Sequence, residues 1–156
     1  MEVSVHTGPE SLERFAKECE ESLLSAILYH FKYPTSASLT HWPVDEIKKE
    51  NENFLGGLRN KGNVYALWVR KDDTDSWIPV YVGQRKSENL RERLTQHLIS
   101  KNSKTGSMLE AIKTAVGAGE QIGVSFIKVN PESLRLYVEE TIIGLRKSDL
   151  PWNTHG

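Results

Sequence analysis

Asn63-Val64-Tyr65-Ala66-Leu67-Trp68-Val69, Ile78-Pro79-Val80-Tyr81-Val82-Gly83 and Asn89-Leu90-Arg91-Glu92-Arg93-Leu94-Thr95-Gln96-His97 follow one another in the middle of a 156-residue chain and point to a strand, a second strand and a helix. The first two are dense in β-branched and aromatic residues and predict strands over 64–69 and 78–82. Three Asp between Lys71 and Ser76 supply the turn of a hairpin. In the third, Leu90 and Leu94, with Leu98 beyond, recur at i, i+4 and i+8, so the segment is a helix with one buried face. Ser87 or Asn89 can cap it, and Arg93 and His97, four residues apart, share a neighbouring face.

Towards the C terminus the pattern predicts a helix over 107–116 ended by Gly117 and Gly119, a third strand over 122–129, and a last helix opened by Asn130-Pro131. That helix carries Leu134, Val138, Thr141, Ile142 and Leu145 on one face and Leu136 and Ile143 nearly opposite. Two apolar sides call for two covers: the sheet on one, and the N-terminal helices or a second subunit on the other. Towards the N terminus, Gly8-Pro9 opens a helix to about Tyr33, with Leu12, Phe15, Ala16, Cys19, Leu23, Ala26, Ile27 and Phe31 at three- and four-residue steps and Pro34 as its stop. Pro43 opens a second helix through Val44, Ile47, Phe54 and Leu55, stopped by Gly56-Gly57. The expected architecture is one compact α+β domain. A small, mainly antiparallel three-stranded sheet flanked by helices forms residues 62–156, and a helical extension forms residues 1–61.

Composition bounds the function. With 38 % hydrophobic and 26 % charged residues the chain can bury a core. Cys19 is the only cysteine, which excludes a disulfide framework and a cysteine zinc site. The start lacks the basic and apolar regions of a signal peptide, and no apolar run approaches the ~18 residues of a membrane span, so a soluble, cytoplasmic protein is expected. The net charge of −1 hides an asymmetry: residues 1–60 carry 6 Lys/Arg against 10 Asp/Glu, the rest 14 against 11. Arg85, Lys86, Arg91, Arg93, Lys101 and Lys104 make 85–104 a basic patch suited to a phosphate backbone. No metal-binding His/Cys cluster, phosphate loop or GxSxG elbow is present.

The order Asn63-Val64-Tyr65, Tyr81-Val82-Gly83, Asn89-Leu90-Arg91-Glu92-Arg93 and His97 resembles the GIY-YIG nuclease family, with Pro151-Trp152-Asn153 similar to its closing Pro-x-Asn element. The resemblance covers about residues 62 to 153. Asn63 replaces the first Gly, Val replaces Ile in both tripeptides, and one extra residue lies between Gly83 and Asn89.

Hydrolysis of a phosphodiester needs a base for water, a cation at the pentavalent phosphate and neutralisation of the leaving oxygen. Tyr65 can be that base if nearby cations lower its pKa from about 10. Arg93 suits the phosphate oxygens because its charge is permanent and its donors fork. Lys86 is the expected point charge near the tyrosine, Tyr81 a hydrogen-bonding partner and His97 an assisting group. Taken singly, a strand tyrosine is more often core, and an Arg and His four apart more often a solvated face. The ordered set is what favours chemistry. Periodicity leaves Glu139 and Glu140 open as the acid; the resemblance, by its spacing to Asn153, implies Glu140. One carboxylate is enough for Mg²⁺ or Mn²⁺ that keeps its waters. Asn153 is expected to orient the Glu or the tyrosine, or to cap a closing loop.

The resemblance implies a metal-dependent endonuclease on double-stranded DNA, of restriction or phage type. Arg85, Arg91, Lys101 and Lys104 are the expected DNA contacts, and a homodimer would match a palindromic site. A repair, junction or toxin nuclease with a partner, and a binding module that does not cut, are the alternatives.

Overall fold

The computed structural model describes residues 1–4, 11–102 and 106–153. Lys104, and the N-terminal helix start at 8–10, lie outside the described residues. The hairpin forms where it was expected: β3 (Val64–Arg70) pairs antiparallel with β4 (Ile78–Gln84), with Val80 as an extra residue between the Leu67–Tyr81 and Trp68–Pro79 pairs. On its other edge β3 pairs antiparallel with β5 (Gln121–Asn130).

The sheet is larger than three strands and is mixed. β1 (Glu2–Ser4) runs parallel to β5 at Lys128 to Asn130, and β2 (Tyr29–Phe31) runs antiparallel to it at Ile122 to Val124. Both added strands come from residues 1–61, so that segment is not all-helical. The expected helix to Tyr33 stops early: α1 spans Ser11–Ser25, and Ile27 is 97 % exposed. The aromatic Tyr29-His30-Phe31 stretch gains ladder hydrogen bonds on the edge of β5 that a continued helix would not give it. The second expected helix is two, α2 (Val44–Glu50) and α3 (Glu52–Gly56). They break at buried Asn51, whose amide accepts from Lys32 N–H and Tyr29 Oη and donates to the carbonyls of Lys32 and Ile47, each at 2.8 Å.

Side chains alternate across the sheet and feed two cores. One face, with Tyr65, Leu67, Ile122 and Val124, packs on Ile47 of α2, Leu55 of α3, Leu90, Leu94 and Leu98 of α4 (Leu90–Leu98), and Ile112 of α5 (Leu109–Gly117). The other, with Val64, Ala66, Trp68, Val82, Ile127 and Val129, packs on Phe15, Cys19 and Leu23 of α1 and on Val138 and Ile142 of α6 (Arg135–Leu145). Ile143 packs on this second core too, so cover for both sides of α6 is largely found within the chain; Leu136 and Leu145 stay exposed. No helix among the described residues is long and apolar enough to cross a membrane.

Asn63 takes its place for a structural reason. Fully buried, it extends the ladder sideways: its amide donates to Val129 O at 2.9 Å and accepts from Val129 N at 2.7 Å. A glycine there would leave that β5 pair unmet.

Candidate active site

Tyr65, the second residue of β3, lies on the face covered by α4, directly opposite Gly83 of β4. A β-carbon on Gly83 would overlap the Tyr65 hydroxyl and ring. The glycine therefore makes room for the phenol, which is 1 % exposed. Tyr65 Oη lies 2.7 Å from His97 Nε2, and His97, in the last turn of α4, is completely buried. The Tyr81 ring completes a triangle, 6.3 Å from that of Tyr65 and 5.3 Å from that of His97. Four residues before His97, Arg93 stands within electrostatic and hydrogen-bonding reach of both tyrosines.

Outside this cluster opens a cleft of about 290 Å³ lined by Arg85, Asn89, Glu92, Arg93 and Gln96. Four expected residues, Tyr65, Tyr81, Arg93 and His97, are thus brought together, and two others stand apart from them. Lys86 is exposed at the start of the 3-10 turn Ser87–Asn89, and the cations acting on Tyr65 and His97 are Arg93 and Arg85. Glu140 is exposed, whereas half-buried Glu139 is the carboxylate whose charge reaches Tyr81. One turn before it on α6, Arg135 donates to Gln84 Oε1 at 2.9 Å, so this helical face meets β4.

The hydrogen bonds of the Asn153 side chain go to the main chain and to neither tyrosine nor acid. That side chain pairs with the free edge of β4, accepting from Val82 N at 2.7 Å and donating to Val82 O at 3.0 Å, and so clamps the strand between Tyr81 and Gly83. Arg91 and Lys101 are exposed; Arg91 lines a separate groove of about 440 Å³ with Lys48 and Lys49 of α2. Sequence reasoning gave those two lysines no role.

Burial dominates the electrostatics. It raises the Tyr65 pKa, aided by Tyr81, and outweighs the lowering by Arg93 and Arg85. The expected depression of the tyrosine below its ordinary value is therefore not met within the protein alone. Burial, then Arg93 and Arg85, push His97 down to about 3, so the ring is neutral at all working pH values. Burial and the neighbouring Glu140 raise Glu139 to about 7. Glu132 is held low because it accepts the Ser87 N–H, pinning the turn before α4.

The His97 shift has a testable consequence. Between about pH 3 and 6.5 the unfolded chain binds a proton at His97 that the folded chain refuses, so stability is lost as pH falls through that window. The slope reaches about 1.4 kcal/mol per pH unit. Urea midpoints at pH 6.5 and 4.5 are expected to show a loss about 2 to 3 kcal/mol smaller in His97→Gln than in the wild type.

Among the described residues no three His, Cys, Asp or Glu side chains converge. A divalent ion held at this site would take one carboxylate, half-buried Glu139, and keep most of its waters. A nearby dication would offset the desolvation and the Glu140 repulsion that now hold a proton on that group. Comparison with known families, curated proteins and solved structures returns no match: no family model, no curated protein and no solved structure.

Proposed function

We propose that the chain is a metal-dependent endonuclease that hydrolyses phosphodiester bonds of double-stranded DNA, in the manner of a restriction or phage enzyme. The observation that carries this reading is the buried Tyr65–His97 pair at 2.7 Å beside a cleft lined by Arg85 and Arg93. It joins an oxygen able to take a proton to a site for a phosphate.

In this reading a water oxygen attacks phosphorus while the bond to the leaving sugar oxygen breaks. The water proton passes to Tyr65 Oη in its ionised form, and the leaving oxygen takes a proton from solvent. Arg93 presents its fork to the non-bridging oxygens. His97 hydrogen-bonds the tyrosine oxygen but carries no charge of its own. Mg²⁺ or Mn²⁺ at Glu139, when bound, supplies neutralisation of charge on the phosphate and leaving oxygen. Arg85, Arg91 and Lys101 are the proposed backbone contacts.

Because burial keeps Tyr65 above its ordinary pKa, the ionised fraction is small at pH 7 and grows tenfold per unit. Single-turnover cleavage under saturating metal is therefore expected to rise with pH from 7 through 9, with no His97 inflection near 6.5. The general test is incubation with several plasmids and Mg²⁺ or Mn²⁺ followed by end mapping. Discrete fragments support a restriction-type enzyme, a smear supports a degradative nuclease, and binding without cutting under either metal overturns the enzymatic reading.

A further inference from the structure

Residues 106–108, just before α5, touch the site twice through their main chain. Arg93 Nη1 donates to the Gly106 carbonyl at 2.7 Å and to Gln96 Oε1 at 2.9 Å. Two residues on, Met108 N–H donates to His97 Nδ1 at 3.0 Å. An amide N–H can only donate, so the ring nitrogen it faces must hold a lone pair. A neutral imidazole then carries its proton on Nε2, the atom 2.7 Å from Tyr65 Oη. The tyrosine oxygen is the acceptor of that bond, and its own proton takes no part in it.

We propose that the Met108 main-chain N–H is a tautomer lock: it holds His97 as an Nε2–H donor to Tyr65, so that the imidazole supports negative charge on the tyrosine oxygen and does not take its proton. The Gly106 carbonyl, by engaging Arg93, makes the same short segment the positioning element for both groups. Among the described residues, the titratable and charged groups facing the ring are Tyr65 from β3, Tyr81 from β4, Arg85 just beyond β4 and Arg93 from its own helix. No carboxylate is among them to draw a proton onto Nδ1, and both arginines oppose a second proton on the ring. The catalytic meaning of the lock rests on Tyr65 being the reactive hydroxyl; the tautomer does not.

Met108 precedes the first residue of α5, and the helix uses its carbonyl, which accepts from Ile112 N, rather than its N–H. Its φ of −90° is close to the range of a proline. Met108→Pro deletes the donor, and Met108→Ala keeps it while matching the loss of the side chain, which packs against the first core. Imidazole ¹⁵N spectra of the full chain from pH 8 to 5 are expected to show His97 as the Nε2–H tautomer throughout. An Nδ1–H tautomer, or protonation with a midpoint near 6.5, overturns the lock. Met108→Ala is expected to keep the wild-type pattern and Met108→Pro to give mixed tautomers; a proline variant with an unchanged spectrum overturns it. Should Met108→Pro fail to fold, the wild-type spectra and Met108→Ala still decide. Plasmid cleavage is expected to be about tenfold slower in Met108→Pro than in Met108→Ala, and equal rates overturn the positioning role. A wild type that does not cut sinks the nuclease reading alone, and the spectra then support or overturn the lock by themselves.

Discussion

Arg93→Lys is expected to cut DNA about 10²- to 10³-fold more slowly than the wild type under single-turnover conditions, the scale of losing one aimed donor at a charged transition state. Arg93 lies at the meeting point of the site: it lowers the pKa of both tyrosines by charge and hydrogen bonding, lines the cleft, and is held by Gln96 and Gly106. A lysine keeps the charge but is a compact ammonium without a planar fork, so it cannot engage two phosphoryl oxygens while keeping those contacts. DNA binding, set by summed phosphate contacts, should fall far less than cleavage. Near-normal turnover would make Arg93 a solvated residue of α4.

The second large effect separates two adjacent acids. Glu139→Gln is expected to abolish metal-dependent cleavage, by about 10²-fold or more, while leaving DNA binding intact or stronger; Glu140→Gln should be mild. The same substitution should stabilise the fold. Glu139 titrates at about 7 instead of 4.5. The folded chain therefore binds more protons between these values, and stability falls as pH rises through the window. Removing the charge should restore about 1 kcal/mol at pH 8, a figure reduced for partial exposure. Activity lost while stability is gained marks a residue retained for function. The reverse order of the two mutants would return the metal to Glu140.

The hairpin and α4 were legible because their signals are local: two runs of β-formers around an Asp-rich turn, and three leucines four residues apart. β1 and β2 were not, since three-residue strands are too short to carry a period. Phe31 even fell on the helical spacing of the α1 stripe. That Lys86 and Glu140 stand apart from the cluster has geometric causes. β4 extends to Gln84, and Tyr81, Gly83 and Arg85 alternate onto the side of Tyr65, so counting strand parity past the tripeptide would have chosen Arg85 over Lys86. Glu139 follows Arg135 by one helical turn on the face meeting β4, whereas spacing to Asn153 crosses the irregular stretch 146–150 and does not resolve one residue from the next. Met108 N–H and Gly106 C=O are main-chain groups, invisible to any reading by residue type.

The most direct measurement is the conversion of supercoiled plasmid in Mg²⁺ by the wild type and by Tyr65→Phe, side by side. Phenylalanine keeps the ring that packs opposite Gly83 and removes only the oxygen that meets His97 Nε2. It leaves one buried donor unpaired, at about 1 to 3 kcal/mol of stability, so folding of the variant is confirmed alongside. The wild type is expected to nick or linearise the plasmid, and folded Tyr65→Phe to be slower by at least about 10²-fold. Equal rates for the two proteins, or no conversion by a wild type that binds the DNA, would contradict cleavage through Tyr65.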